Sequence, residues 1–228
     1  MRLTLIERRN ETPDIESFIF APQEKLTWKA GQFLHYVLHH EPTDDRGSDR
    51  WFTVASAPCE GRVMITTRLA HERGSTFKEA LKALKVHDIL EISDIDGDFI
   101  VEDTSREYIF IAGGIGITPF RSILKELAYA KVQLTVTLLW ANRDANIPYK
   151  DEFESLASNN PNLRIIYVTA PERITIQKIQ ALVPDLQKPL YYISGPEPLV
   201  ESLGTELLQA GIKKENIKQD WFPGYPLD

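Results

Sequence analysis

Residues 107–124 read EYIFIAGGIGITPFRSIL, an apolar run followed by three glycines and a second apolar pattern. The run YIFIA is apolar throughout, as in strands that are covered on both faces of a sheet. Beyond the glycines, Phe120, Ile123 and Leu124 recur at the spacing of one helix face. The stretch therefore predicts a strand, a tight turn and a helix, which is the repeating unit of a parallel sheet.

The chain after residue 105 continues this alternation. Three further strand-like runs, LTVTLLW, RIIYVTA and LYYIS, are separated by helix-like segments. We expect helices at 119–131, 151–158, 176–183 and 199–210. The pattern predicts an α/β domain over residues 105–228, built on a doubly wound, parallel, five-stranded nucleotide-binding sheet.

The chain before this point has a different rhythm, with short alternating runs between turn residues. The runs are RLTLIERR, DIESFIFAP, FLHYVLHH, WFTVAS, RVMITTRLA, ILEIS and DFIV. Such runs are typical of an antiparallel barrel or sandwich. One helix interrupts them at residues 76–84, where Thr76 and Glu79 fit a capping box. We expect residues 1–104 to form an antiparallel six-stranded β-barrel with one short helix.

The glycine turn has a chemical interpretation as well as a structural one. Glycines such as Gly114 and Gly116 let a ligand's phosphates approach backbone N–H groups, and the following helix presents its positive end. Thr118 could cap that helix, with Pro119 at its first position. The alternative is a tight turn without a ligand.

A second small-residue turn follows the fourth parallel strand and contains Gly195 and Pro196. If strands one and four of this half flank the point where the winding reverses, both turns line one crevice. Ligands of open α/β sheets bind in that crevice.

The second parallel strand is followed by Asn142 and Arg143 rather than by an acidic residue. A basic residue here could hold a ribose 2′-phosphate and favour NADPH over NADH. A solvated arginine is the equally weighted alternative.

Composition excludes several other classes. The net charge of −7 disfavours nucleic-acid binding, and the single cysteine excludes an internal disulfide or a four-cysteine cluster. No apolar stretch reaches about 20 residues and the first ten residues lack a signal-peptide core, so we expect a cytoplasmic protein without membrane insertion. His35 and His39 share a strand face but lack further ligands, so no metal site is expected.

The run 50–58, RWFTVASAP, resembles the flavin motif Arg-x-aromatic-Ser/Thr-x-x-Ser of the ferredoxin-NADP(+) reductase family. The resemblance implies that Arg50 pairs with the flavin phosphate, Phe52 packs on the isoalloxazine ring and Thr53 offers its hydroxyl to N5. Trp51 lies within the same cofactor-binding motif. A guanidinium fork suits phosphate, and an aromatic face suits a ring.

A second family motif resembles Gly74-Ser75-Thr76, at the start of the short helix. The resemblance implies that these residues bind the flavin pyrophosphate, and Arg68 on the preceding strand could add charge. The alternative for Arg68 is a role at the protein surface without a ligand.

The nucleotide half resembles the family in its two glycine turns and in the closing segment, 220–225. The resemblance implies a proton-carrying or partner-contacting role for Asp220, where plant-type members have glutamate, and a flavin-covering role for Tyr225. Ser194 is not followed by the cysteine of plant-type members, so thiol assistance is not expected.

Taken over residues 2–225, the resemblance implies a flavoprotein oxidoreductase that transfers hydride from NADPH or NADH to bound FAD. The electrons would pass to a one-electron redox protein, such as ferredoxin or flavodoxin, or to a fused or associated redox subunit. FMN in place of FAD, a free-flavin or small-acceptor reductase, and a non-catalytic flavin- or nucleotide-binding subunit remain alternatives.

Overall fold

The computed structural model describes residues 1–69 and 74–222, which form two sheets with helices. The strands of the first sheet are β1 (Arg2–Thr12), β2 (Ile15–Pro22), β3 (Phe33–Val37), β4 (Asp49–Thr53), β5 (Val63–Arg68) and β6 (Ile89–Asp96). Those of the second are β7 (Glu107–Gly113), β8 (Thr135–Asn142), β9 (Leu163–Thr169), β10 (Leu190–Pro196) and β11 (Ile217–Phe222). The helices are α1 (Thr76–Ala83), α2 (Thr118–Tyr129), α3 (Lys150–Asn159), α4 (Ile176–Leu182) and α5 (Glu197–Gln209).

The first sheet is antiparallel and six-stranded, in the order β4-β3-β6-β1-β2-β5, as the alternating runs predict. Just beyond β4, the N–H of Ala55 donates to the carbonyl of Met64 in β5 at 2.8 Å. The two outer strands of the order therefore approach each other, which gives the sheet its barrel character. Its interior holds a cluster of buried apolar residues that includes Leu5, Phe18 and Phe77.

Two local expectations for this half are wrong. Residues 98–101, DFIV, are not a strand, because the N–H of Ile100 turns back to the carbonyl of Asp98 at 2.7 Å instead of joining a ladder. The N-cap of α1 is Ser75, whose side chain accepts from the N–H of Lys78, and not Thr76. The hydroxyl of Thr76 instead accepts from the N–H of Asp44.

The second sheet is parallel and five-stranded, in the order β11-β10-β7-β8-β9. Its first and fourth strands along the chain, β7 and β10, are neighbours, with Ser194 opposite Ala112. The winding therefore reverses between them, as the two glycine turns require. A bilayer-spanning helix is not found in residues 1–69 and 74–222.

The start of α2 differs from the predicted cap. A 3-10 turn, Gly114–Ile117, leads directly into the helix, and residue 117 at the N-cap position is already helical. Thr118 is the first residue of α2, and its hydroxyl donates to the carbonyl of Ile115 at 3.2 Å. Pro119 lies in the first turn, where its missing N–H costs nothing.

The two sheets share one apolar core. Ile19, Ala55 and Met64 of the antiparallel half belong to the same buried cluster as Phe110 and Phe120 of the parallel half. Because they share this core, the two halves pack against each other as one unit.

Candidate functional site

The flavin motif lies on β4, and the pairing with β3 decides which way its side chains point. Arg50 is opposite Tyr36, and Phe52 is opposite Leu34. Because side chains alternate across a strand, Arg50 and Phe52 share the inner face. The ring of Phe52 lies 5.7 Å from that of Phe77 in α1, so this face also meets the short helix.

Trp51 points the other way. Its ring is half-exposed and lies 4.6 Å from His35 and 5.2 Å from Phe33, measured between ring centroids. His35 is bonded to Asp49 at 2.6 Å. The structure thus separates Trp51 from Phe52, although both belong to the motif.

The guanidinium of Arg50 faces the start of α1. Its Nη2 donates to both carboxylate oxygens of Asp44, at 2.7 and 3.0 Å. Its Nη1 donates to the carbonyls of Arg46 and Gly47, at 2.8 and 3.1 Å. Arg50 therefore holds the loop between β3 and β4 against the helix.

The N-terminus of α1 closes the same small region. The N–H of Thr76 donates to Asp44 Oδ2 at 3.1 Å, and the imidazole of His40 is 3.0 Å from the Thr76 hydroxyl. Gly74 and Ser75 precede this N–H, so the predicted pyrophosphate-binding residues adjoin Arg50 as the resemblance implies. A carboxylate thus occupies an anion-binding position made by a helix start and an arginine.

Two buried polar atoms on this inner face have no hydrogen-bond partner in the described part of the chain: Arg50 Nε and the Tyr36 hydroxyl. A buried donor without a partner is costly and marks a place where a ligand can bond. Since the two residues are opposite each other on β3 and β4, the face fits a ligand that has both an apolar ring and polar atoms.

Thr53 and Arg68 lie at two other strand ends. Thr53 is the last residue of β4, opposite Phe33, and is half-buried. Arg68 ends β5 and pairs with Asp14. Burial, followed by the positive charge of Arg143, lowers the pKa of Arg68. Arg68 therefore lies near the nucleotide half, while Asp14 partly neutralises it.

The glycine crevice forms where β7 and β10 end. A side chain at Gly116 would begin 2.3 Å from the carbonyl oxygen of Ser194, so only glycine lets these turns pack together. At Gly114, where φ is +52°, a Cβ would meet nothing within 4 Å. Gly114 therefore has open space beside its backbone, and Gly195 and Pro196 pack against the neighbouring Gly113.

Asn142 is the last residue of β8, and Arg143 follows it. The amide of Asn142 donates to the carbonyl of Trp140 at 3.2 Å, and Arg143 is exposed. The indole of Trp140, itself buried, donates to the carbonyl of Gly114 at 3.0 Å. This hydrogen bond from the buried side chain of Trp140 holds the glycine turn in place.

Asp220 lies beside the crevice on β11, opposite Ser194 of β10. The hydroxyl of buried Ser194 donates to Asp220 Oδ2 at 3.0 Å. Burial raises the pKa of Asp220, and the negative charge of Asp98 adds to the rise, against the lowering effect of Ser194. This carboxyl can therefore exchange a proton nearer to neutral pH than an exposed aspartate. Tyr225 lies outside the described residues.

Helix α2, which begins at the glycine turn, forms hydrogen bonds to the residues of the flavin motif. The hydroxyl of Ser122 donates to the carbonyl of Ser56 at 2.7 Å, and Arg121 Nη1 donates to the carbonyl of Ala55 at 2.8 Å. The helix that begins at the glycine turn thus holds the residues that directly follow β4. The turn Gly114–Ile117 also contacts β5.

A family model for the NAD-binding domain of oxidoreductases matches residues 110–204. The reductase component 1 of terephthalate 1,2-dioxygenase from Comamonas sp. is 28% identical to this chain. The alignment covers 89% of this chain and 62% of the relative. The chain thus spans about three fifths of that relative's length.

Two solved structures share the fold. The flavohem-like FAD/NAD-binding domain of nitric oxide dioxygenase from Vibrio cholerae superposes with a TM-score of 0.84 at 20% identity, over 98% of both chains. Ferredoxin-NADP+ reductase from Plasmodium falciparum superposes with a TM-score of 0.82 at 18% identity, over 97% of this chain and 95% of that one. At these identities the two structures show that this chain has their fold.

Several residues around the site are not among those that the sequence predicts. Arg121, Trp140 and His40 each bond to a site segment that is distant along the chain, at Ala55, Gly114 and Thr76 respectively. Asp44 belongs to no motif, and it lies in the loop between β3 and β4.

Proposed function

We propose that this chain is an NAD(P)H-dependent flavin oxidoreductase that passes electrons to a separate redox protein. In this proposal residues 1–104 are the FAD-binding barrel domain and residues 105–228 the nucleotide-binding domain. The division falls between β6 and β7, where the sheet changes from antiparallel to parallel.

The flavin is proposed to lie on the inner face of β4. Arg50 and the start of α1, at Gly74, Ser75 and Thr76, would bind its phosphates. Phe52 would cover its ring. Thr53, whose side chain alternates to the other face at the last residue of β4, would reach the ring's polar edge from the strand end. The two unpartnered buried atoms on this face, Arg50 Nε and the Tyr36 hydroxyl, support this placement.

The nicotinamide nucleotide is proposed to lie in the glycine crevice. Gly114 and Gly116 would receive its pyrophosphate at the start of α2, together with Thr118 and Pro119. Gly195 and Pro196 form the other wall in this proposal. Asn142 and Arg143 would contact the ribose.

The observation that carries the proposal is the pair of hydrogen bonds from α2 to the chain after β4. Because Ser122 bonds to Ser56 and Arg121 to Ala55, the crevice and the flavin face are held in one fixed relation. A hydride donor and its acceptor need such a relation, since reacting atoms must come within about 3.5 Å.

The bound flavin would supply the redox chemistry, taking two electrons from a reduced nicotinamide and releasing them to an acceptor. The protein's part is to position the two rings and manage protons. Asp220 and Ser194 would carry protons at the nicotinamide end of the crevice, and Asp220 is the proposed catalytic residue there together with Thr53 at the flavin.

The acceptor is proposed to be a ferredoxin- or flavodoxin-type protein, or an associated redox subunit, in the cytoplasm. One cysteine in the chain is too few for a four-cysteine cluster of its own. The relative from Comamonas is named as a reductase component, which fits electron transfer to another protein.

An anaerobic titration tests the activity. The purified full chain, reconstituted with FAD, is titrated with NADH and with NADPH while its visible absorbance is followed. We expect the flavin absorbance to bleach. If FAD is bound and neither nucleotide bleaches it, the oxidoreductase proposal is wrong and a non-catalytic binding subunit replaces it.

The nucleotide preference is tested by Arg143→Ala. If Arg143 binds the 2′-phosphate, the variant should raise the KM for NADPH about tenfold, because a charge-assisted hydrogen bond is lost, and leave that for NADH unchanged. Arg164→Ala, at an exposed arginine of the same half, is the control. Equal changes for both nucleotides would contradict this role.

A further inference from the structure

Asp44 occupies the position at which a flavin phosphate is proposed to bind. Its carboxylate accepts from Arg50 Nη2, from the N–H of Thr76 at the start of α1 and from the N–H of Arg46. An arginine, a helix N-terminus and a loop amide are donors that also bind phosphate.

The carboxylate is ionised in this position. Burial opposes ionisation, but the hydrogen bonds from Arg50 and from Arg46, with the charge of Arg50, lower the pKa of Asp44 to about 2. Asp44 therefore places a full negative charge in the anion-binding position at neutral pH.

Most of the donors of Arg50 are used by its own loop. Nη2 is bonded to Asp44, and Nη1 is bonded to the carbonyls of Arg46 and Gly47. Only Nε is buried without a partner in the described part of the chain. A ligand phosphate could reach Nε alone unless Asp44 withdraws.

We propose that Asp44 competes with the phosphate of a flavin for Arg50 and the start of α1, and so selectively weakens the binding of phosphorylated flavins. This inference rests on the proposed flavin site. Two oxyanions cannot share these donors without strong repulsion, so FAD or FMN must displace the Asp44 carboxylate, whereas riboflavin, which has no phosphate, need not.

A consequence concerns how the flavin is used. A site that binds the ring through Phe52 but weakly binds phosphate should hold its flavin reversibly. The same competition would allow the chain to accept flavins as exchangeable substrates, the class of the free-flavin reductase alternative.

The test compares three flavins on two variants of the full chain. Dissociation constants for riboflavin, FMN and FAD are measured by flavin fluorescence for the wild type, Asp44→Asn and Asp45→Asn. Asparagine keeps an oxygen that can accept from the N–H of Thr76 or Arg46 but removes the charge. Asp45 is exposed and gives the same charge change one residue away.

We expect Asp44→Asn to tighten FMN and FAD about tenfold, as removal of one charge-assisted competitor implies, and to leave riboflavin within twofold. Asp45→Asn should change all three constants by less than twofold. Urea unfolding of each variant checks that the fold is retained.

The competition is overturned if Asp44→Asn leaves the riboflavin-to-FMN ratio of dissociation constants unchanged or lowers it, since Asp44 would then position Arg50 rather than block it. If the wild type binds flavin but Asp44→Asn gives that unchanged or lowered ratio, the competition is rejected and the proposed flavin site stands. Binding of no flavin by any variant rejects the proposed flavin site and the competition with it.

Discussion

Arg121 shows how one side chain can join two sheets. Its side chain is 2% exposed, and it bonds to Glu60 of the barrel half at 2.8 Å and to Glu152 of α3 at 3.1 Å. Burial opposes the ionisation of Glu60, but the hydrogen bond and charge of Arg121, the N–H of Ala57 and the charge of Lys125 together outweigh burial and lower the pKa of Glu60. A buried cation with two carboxylates stabilises the fold only while all three remain.

Arg121→Met should lower the free energy of unfolding by about 3 kcal/mol, because among the described residues it leaves Lys125 as the cation that pairs with two mostly buried carboxylates. Urea unfolding measures the change. Arg164→Met, at an exposed position, should change the free energy by less than about 0.5 kcal/mol. Equal stabilities of Arg121→Met and the wild type would show that the network is dispensable.

Asp220 should make stability depend on pH. Its folded-state pKa is raised above the ordinary value of 3.8, mainly by burial, so the folded state binds a proton more tightly than the unfolded one. The free energy of unfolding therefore falls as pH rises from 3.8 through the raised pKa. Above the raised pKa the full loss of stability is reached.

Asp220→Asn should accordingly be more stable than the wild type at pH 7, with the difference vanishing below pH 3.8. Thermal unfolding across this pH range measures it, with the exposed Asp94→Asn as control. A less stable Asp220→Asn at pH 7 would mean that the bond from Ser194 needs the charged carboxylate.

The element that organises the parallel half is the turn between β7 and α2. Its glycines serve different purposes: Gly116 allows β10 to approach, and Gly114 adopts a left-handed conformation with open space beside it. The sequence predicts the turn, but the 3-10 geometry that displaces Thr118 from the cap depends on the bond from Trp140 and on packing against β10.

Gly116→Ala should lower the free energy of unfolding by about 2 kcal/mol, because its Cβ would overlap the Ser194 carbonyl oxygen at 2.3 Å. Gly61→Ala is the matched control: φ is +64° and a Cβ there meets nothing within 4 Å, so only the backbone strain of about 1 kcal/mol is expected. Urea unfolding compares them. If the control loses as much as Gly116→Ala, close packing of the turns is not the cause.

At the scale of the whole molecule, the two sheets act as one body. The apolar cluster that contains Ile19 and Met64 continues through Phe110 and Phe120, and the Tyr149 hydroxyl bonds to Ser17 of β2 at 3.2 Å and to Thr66 of β5. Shared burial of this kind couples the stability of one half to that of the other.

The two halves should therefore unfold in one transition. Tyr149→Phe should lower the free energy of unfolding by about 1 kcal/mol because hydrogen bonds are lost, and the two halves should still unfold in a single transition. Hydrogen exchange at increasing urea, followed on peptides from β2 and from β8, measures both halves. Separate transitions for these peptides in the wild type would contradict the single body.

The change from antiparallel to parallel strands and the two glycine turns follow from the sequence. These features depend on local periodicity and on residue types that turns require. The tertiary structure alone decided that Arg121 meets Glu60, 61 residues away, and that Asp44 meets the start of α1, 32 residues away. Such pairings depend on how the sheets and the loop approach in space, which local patterns do not encode.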